Sequence, residues 1–334
     1  MAGIKDICKK TGLSVATVSR VFNDSPLVSQ KTREKVLNAA EELNYRHNGI
    51  AAALRSGKSK TIGVIVPEIN NYFFSNVING IEEKLVQHGY NAIITQSHES
   101  PQTELTAINS LMKLKIDGII ISCSKETKDF AIFKSIEKEG VPVVFFDRKP
   151  NLNKANFVLL DDFQGGQIAT QHLIDKGCRN LLHIAGKNNV SIFNERKRGF
   201  LDVVGRNTDI INGHTHIELS FNLEIDIPTI QNVLKTHPNI DGVFCHGDKY
   251  AIHIINIFRL LGYQIGDSIK IVGFGNNDYT EYTHPKISSI DQRGNEMGTS
   301  VAEILLENLE QETLLHTQRI LKPILIERDS TSMI

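Results

Sequence analysis

The sequence is short of several things, and each shortage removes a class of protein. It has only four cysteines, Cys8, Cys123, Cys178 and Cys245, with no two close together and no CxxC pair. That excludes a zinc ribbon and a dense disulfide scaffold, and it fits a reducing compartment. No apolar run approaches the roughly 18 residues that span a bilayer. The opening Met1-Ala2-Gly3-Ile4-Lys5-Asp6 lacks the apolar core of a secretory leader, so a cytoplasmic chain with no membrane partner is expected. No Ser-His-Asp ordering and no paired-acid dyad can be argued. Asp161 and Asp162 are adjacent at a strand end, where side chains diverge. The pair His214 and His216 has no Cys, Asp or Glu partner in the pattern, which favours a surface loop over a metal site. Gly57-Lys58-Ser59 resembles the tail of a phosphate-binding loop, but Ala52 stands where the glycine is needed and the segment precedes a strand. No enzyme chemistry, cofactor or metal is expected.

Net charge also looks absent, at −1 over 334 residues. The total conceals a division. Residues 1–60 carry 11 Lys and Arg against 5 Asp and Glu, a net of +6, and the remainder carries −7. A basic head on an acidic body is the pattern of a chain that meets nucleic acid with one part only. The length suits two or three domains, and 40% hydrophobic against 22% charged residues supports a packed core.

Residues 4–46 predict three short helices. Ile4, Ile7 and Cys8 share one helical face; Thr11-Gly12-Leu13 ends that helix, with Gly12 free to take the left-handed turn. Ser14 caps a second helix over Val15 to about Phe22, and Ser29 caps a third in which Val36, Leu37, Ala40 and Leu43 keep helical spacing. This is a helix-turn-helix layout. From Thr61 the period changes to continuous apolar runs at residues 62–66, 92–94, 118–121, 143–146, 157–160, 181–184, 243–245 and 271–274, most of them separated by helical stretches. Such runs predict buried parallel strands in doubly wound α/β lobes, two of them, with a ligand cleft at the strands' carboxyl ends.

The most specific stretch is Ile4-Lys5-Asp6-Ile7, then Ser14-Val15-Ala16-Thr17-Val18-Ser19-Arg20-Val21-Phe22-Asn23, then Val28-Ser29 and Thr32-Arg33-Glu34-Lys35-Val36. Together with Ile62-Gly63-Val64-Ile65-Val66-Pro67, Asp147-Arg148 and Val272-Gly273-Phe274, it closely resembles the LacI/GalR family of bacterial transcription regulators. The resemblance implies an N-terminal all-α helix-turn-helix head on a periplasmic-binding-protein-like body. The expected divisions are a head over 1–46, a hinge over 47–60 and a body over 61–334. Lobe 1 would take about 61–160 and 291–320, and lobe 2 about 161–290 and 321–334.

It also implies partners: double-stranded operator DNA, a small-molecule effector (a sugar on family grounds) and a second copy of the chain. A homodimer is expected rather than a tetramer, since no leucine heptads follow Ser330. Val15, Ala16 and Arg20 would read base edges, the first two by apolar contact and Arg20 by forking onto a guanine. Thr17, Ser19, Asn23 and Thr32 would bond phosphates, and Leu54 would wedge into a minor-groove step. The chain departs from many relatives at His47 and Ala52, in place of proline and arginine. Val18 is core, and Val15 and Ala16 are core under the competing reading.

For the effector the resemblance names Phe73, Phe74, Asp147, Arg148, Arg196, Asp248 and Asn276. The competing readings are that the two phenylalanines begin the next helix with one of them packed inward, that Asp147 and Arg148 pair with each other, that Arg196 belongs to a solvated basic run, and that Asp248 merely caps a helix. Gly247 and Gly275 replace residues that many relatives use on ligand, with Asn276 or Asn277 as substitutes for the second. A solute-binding transport protein shares the body, but the basic head argues against it. On this reading Leu54→Ala weakens operator binding, measured by mobility shift, while the body's unfolding transition stays unchanged; unaltered binding would remove the wedge.

Overall fold

The computed structural model describes residues 3–22, 25–45, 58–186, 191–311, 313 and 315–332. The chain forms two compact units, Met1–Ser59 and Lys60–Ile334.

In the first unit α1 (Ile4–Thr11) ends where Gly12 turns left-handed at φ 71° and its N–H bonds the carbonyl of Cys8. Helix α2 (Val15–Phe22) is capped by Ser14, whose Oγ accepts the Thr17 N–H at 3.1 Å. Helix α3 (Gln30–Glu42) is capped by Ser29 through the Thr32 N–H. Ile7, Val18, Val21, Val36, Ala39 and Ala40 form the core, with Cys8 packed against it as a small apolar group. The inner stripe of α3 runs through Val36, Ala39 and Ala40; Leu37, expected on that stripe, is 47% exposed. Arg33 reaches back from α3 to the carbonyls of Val21 and Ser25, tying down the end of α2.

The second unit is built on two six-stranded sheets of matching topology. In the first sheet the strands are β1 (Thr61–Val66), β2 (Asn91–Gln96), β3 (Gly118–Ile121), β4 (Val143–Phe146), β5 (Asn156–Leu160) and β11 (Gln318–Leu321), in the order β11-β5-β4-β3-β1-β2. In the second they are β6 (Asn180–Gly186), β7 (Gly213–Leu219), β8 (Gly242–Cys245), β9 (Lys270–Gly275), β10 (Ser288–Asp291) and β12 (Ile324–Ile326), in the order β12-β10-β9-β8-β6-β7. Pairing is parallel except for β12 against β10. The chain passes between sheets three times: after β5, after β10 and between β11 and β12. The eight apolar runs of the sequence are β1 to β6, β8 and β9. Residues 213–219, expected as a loop around His214 and His216, are instead the edge strand β7, in register with β6. Only one face of that strand is half-covered, so it shows no apolar run.

Helices α4 (Tyr72–Gln87), α5 (Pro101–Lys113), α6 (Ala131–Lys138), α7 (Asp162–Asp175), α8 (Ser191–Arg206), α9 (Leu223–Thr236), α10 (Asp248–Leu260) and α11 (Gly294–Glu310) cover the sheets. Two helix pairs approach so closely that only glycine fits between them. A Cβ at Gly80 would strike the carbonyl of Asn295, and one at Gly298 the carbonyl of Val77, fixing α4 against α11; Gly166 and Gly199 do the same for α7 against α8. Gly298→Ala should therefore cost about 1–3 kcal/mol of overpacking. Gly205→Ala, in α8 with open space around it, should gain a few tenths to about 1 kcal/mol. Urea unfolding of both variants checks the pair, and equal effects would contradict the close approach.

Candidate functional site

Two surfaces carry the sequence-predicted residues. On the head, α2 turns Val18 and Val21 inward and leaves Val15, Ala16 and Arg20 exposed, with Val15 at 43%. The competing core reading of Val15 and Ala16 thus fails, and Val18 is core. Thr17 and Ser19 are half-buried on the flank of α2; Thr17 Oγ1 bonds Ser14 Oγ at 2.9 Å. Thr32 repeats this arrangement with Ser29 at the start of α3, 2.9 Å between the hydroxyls. Asn23 and Leu54, with the departures His47 and Ala52, lie outside the described residues.

In the second unit a cavity of about 750 Å³ is lined by segments that follow β1, β4, β6, β7, β8, β9 and β10. The carboxyl ends of strands from both sheets therefore meet around one space. Asn71 caps α4 by accepting the Phe73 N–H, and the next residues, Phe73 and Phe74, are nearly buried with their rings 5.2 Å apart. Both line the cavity and both belong to the core beneath it.

Asp147 follows β4 at φ +66°, buried and loosely held: Ser122 Oγ lies 3.5 Å and Arg148 Nε 3.6 Å from Oδ2. Burial pushes its carboxyl up, with Arg148 opposing. Arg148 lines the cavity and pairs with Asp147 only through Nε; its terminal nitrogens go elsewhere. Its Nη1 and Nη2 donate in parallel to Glu99 at 2.8 and 2.7 Å, and Nη1 also reaches the carbonyl of Cys123. The planar fork of guanidinium matches a carboxylate, so Glu99 outcompetes the more distant Asp147.

Arg196 is no solvated cation; it is 3% exposed. Its Nε donates to Asp162 at 2.7 Å, its Nη1 to the carbonyl of His246 at 2.6 Å, and its guanidinium lies 3.6 Å over the Phe274 ring. Asp162, the first residue of α7, is pushed up to about 6 by burial against the pull of Arg196. Its neighbour Asp161 diverges from it and caps α7 through Gln164 N.

Asp248 opens α10 but does not cap it, because Gly247 is the cap residue. Its carboxylate turns instead to Asn277 N at 2.8 Å and Ser289 Oγ at 2.5 Å. Gly273 leaves the room for it: a Cβ there would overlap Oδ1. Asn276 is a correction. It does not line the cavity; its Nδ2 donates to Asp291 and its Oδ1 accepts from Arg328, which turns the side chain away. The adjacent Asn277 lines the cavity, its Nδ2 bonded to Tyr279 Oη.

Sequence reading missed an aromatic wall. Phe193 stacks on His246 at 4.2 Å and 12°, and Tyr250 meets His246 edge-on at 4.6 Å. Phe221, at φ +63° and 40% exposed, stands between Tyr250 and His253. His246 is driven down to about 3, chiefly by burial and then by Arg196, so it is neutral at physiological pH. Phe193 precedes Arg196 by three residues on one helix, a spacing that places them on the same face. Phe221 gives no sequence signal because it follows the edge strand β7, which carries no apolar run. Among the described residues no group of three His, Cys, Asp or Glu side chains is placed to hold a metal ion.

Residues 3–48 match the model of bacterial regulatory proteins of the lacI family, and residues 59–326 that of periplasmic binding proteins and the sugar-binding domain of the LacI family. The chain belongs to the LacI family. It is a DNA-binding transcriptional regulator, and the transport reading gives way to this one. The chain is 29% identical over 337 residues to the HTH-type transcriptional repressor PurR of Vibrio vulnificus, covering 100% of both chains. It is 30% identical over 314 residues to the ribose operon repressor of Halalkalibacterium halodurans, covering 94% of this chain and 92% of that one. Among solved structures, the lac repressor dimer bound to operator and the anti-inducer ONPF superposes with a TM-score of 0.83 over 99% of each chain at 23% identity. A ribose-bound LacI-family regulator from Enterococcus faecium gives 0.70 at 27% identity, over 82% of this chain and 99% of that one. Among the described residues no helix is long and apolar enough to cross a membrane.

Asp248 supplies a test of the cavity's electrostatics. Folding raises its carboxyl from an ordinary 3.8 to about 6, so the ionised form is less welcome in the fold than in the unfolded chain. The group costs nothing below pH 4, and the cost grows between pH 4 and about 6 and levels off above it. Asp248→Asn should therefore gain stability over the parent as pH goes from 4 to 7.5, reaching roughly 1–3 kcal/mol. Thermal unfolding across that range reads it out, and a pH-independent offset would refute it.

Proposed function

We propose that the chain is a ligand-responsive repressor that binds a two-fold operator as a homodimer in the cytoplasm, without enzymatic activity. Its working parts are a head over 1–46, a hinge over 47–60 and a two-lobed body over 61–334. The single observation that carries the DNA-reading half is the outward face of α2. Val15, Ala16 and Arg20 stand free while Val18 and Val21 hold the helix down. Small residues let such a helix sit deep in the major groove, and Arg20 supplies the fork for guanine. Thr17, Ser19 and Thr32 flank it at positions suited to phosphate, with Asn23 and the Leu54 wedge completing the contact. Two heads are needed because one short helix reads too few bases.

The body's effector is a small hydroxyl-rich molecule, a sugar by analogy with the ribose operon repressor and the ribose-bound regulator that the chain resembles. Phe73, Phe74 and the wall of Phe193 and Phe221 offer apolar faces to a ring. Arg196 keeps Nη2 as a donor, and Asp147 and Asp248 keep acceptor capacity. Effector binding would change how the two sheets sit about the cavity and thereby alter DNA affinity, a coupling worth about 1–3 kcal/mol.

The test is a mobility shift against a library of palindromes at several salt concentrations. Affinity should fall steeply with salt, and Arg20→Ala should lose about 1–3 kcal/mol of discrimination at one base pair per half-site, with its circular dichroism unchanged. A flat salt response, or full discrimination in Arg20→Ala, would sink the reading.

A further inference from the structure

The cavity holds two guanidinium groups among its described lining residues, and neither presents a free forked pair of donors to an anion. Arg148 spends both terminal nitrogens on Glu99, which does not line the cavity, and Arg196 spends Nε on Asp162, which does not line it either. Each cation is neutralised from behind. What the cavity keeps in front are carboxylates. Asp147 has only the two long contacts to Ser122 and Arg148, and Asp248 has one hydrogen bond to each oxygen. A carboxylate can accept about twice that number. The remaining lysine of the lining, Lys249, has its ammonium 4.5 Å over the Phe221 ring, and it is outnumbered by Glu68 and Asp278. Binding a phosphate or carboxylate ligand calls for free forked donors and an excess of positive charge. This cavity has neither, and in a partly desolvated space each like charge weighs more than it would in water. A donor-rich neutral ligand meets the opposite conditions, since its hydroxyls fill the acceptor sites that Asp147 and Asp248 leave open.

We propose that the cavity selects uncharged, hydroxyl-rich effectors against their phosphorylated or carboxylated counterparts, and that Glu99 and Asp162 set this selectivity by holding the two guanidinium groups without touching the ligand. The inference rests on the reading of this cavity as the effector site. Glu99 is suited to the task by its backbone. It and His98 are both left-handed, at φ 57° and 51°, a placement that brings the carboxylate back across the loops after β3 and β4. There it also accepts the Lys125 N–H at 2.8 Å. The same bridge ties Arg148, the residue after Asp147, to the loop after β3, so Glu99 is a positioning residue for that carboxylate as well. Its own carboxyl is held below the ordinary range by Arg148 and the Lys125 amide, against burial.

The experiment uses the full chain and inorganic phosphate at constant ionic strength, read by thermal shift and calorimetry. The parent protein should show no saturable phosphate binding in the cavity. Glu99→Gln, which keeps the shape and removes the charge, should acquire saturable phosphate binding that the parent lacks. Asp162→Asn should do the same through Arg196, and it serves as the second variant where Glu99→Gln does not fold. In matched pairs, ribose with ribose 5-phosphate, glucose with glucose 6-phosphate and adenosine with its monophosphate, no anionic member should stabilise the parent more than its neutral partner. The proposal is overturned by an anionic member that stabilises more. It is overturned equally by phosphate binding in the parent that Arg148→Ala or Arg196→Ala abolishes, or by folded Glu99→Gln and Asp162→Asn proteins that gain nothing. A neutral ligand that binds and leaves DNA affinity unchanged would instead defeat the repressor reading and leave the charge selection standing.

Discussion

The pairing of Arg196 with Asp162 is the interaction on which the body's interior depends. Both groups are almost wholly buried, and a buried ion pair is tolerated only when its remaining hydrogen-bonding capacity is also met. Here the His246 carbonyl takes one terminal nitrogen of Arg196, and the Phe274 ring covers the guanidinium face. One side chain thereby joins the start of α7, the second turn of α8, the end of β8 and the end of β9. The glycines that let α7 and α8 touch are part of the same construction, because a Cβ at Gly166 would collide with the backbone of Arg196 itself. Close helix packing thus fixes where the guanidinium begins, and the ion pair fixes where it ends. The cavity wall between those points has little freedom left.

This arrangement changes the meaning of an arginine in a binding cavity. A lone arginine facing solvent is a general anion receptor. An arginine with its charge matched from behind is a fixed donor dipole, able to orient a hydroxyl without attracting a phosphate. Arg148 follows the same rule on the other side of the cavity, through a different carboxylate on a different loop. Two unrelated local structures arriving at one electrostatic result is a stronger sign of a built property than either alone.

Much of this was legible in the sequence, and the failures have physical reasons. The strands β1, β3, β4 and β8 are covered on both faces, so they appear as unbroken apolar runs. β7, β11 and β12 are edge strands, and β10, just inside β12, is short and polar (Ser288 and Ser289 in β10, Gln318 and Arg319 in β11), so none gives such a signal. In the head, capping residues at Ser14 and Ser29 and the turn at Gly12 are local chemistry, and local chemistry is readable. The cavity-lining residues Phe73, Asp147 and Asp248 are legible because they follow strand ends. The arginines' partners are not, because Glu99 is 49 residues from Arg148 and Asp162 is 34 from Arg196. Asn276 was misplaced by one position. At a strand end successive side chains face opposite ways, so a shift of one exchanges a cavity residue for one tied to Asp291 and Arg328.

The same electrostatic choice is made at two scales. Operator DNA and a phosphorylated metabolite both present phosphate, and a regulator whose two sites both attracted it would lose the separation between signal and response. The chain's charge is divided so that the net +6 lies in residues 1–60 and the net −7 in the rest. Phosphate is therefore attracted to the head and repelled by the body, where the field of many distant charges acts. Inside the body the distinction is finer and is carried by single residues, since Glu99 and Asp162 withdraw the only two guanidinium groups described in the cavity lining. A mutation that freed either one would do more than widen the range of ligands. It would place an anion-seeking site in the part of the molecule whose remaining charge is arranged to keep anions away.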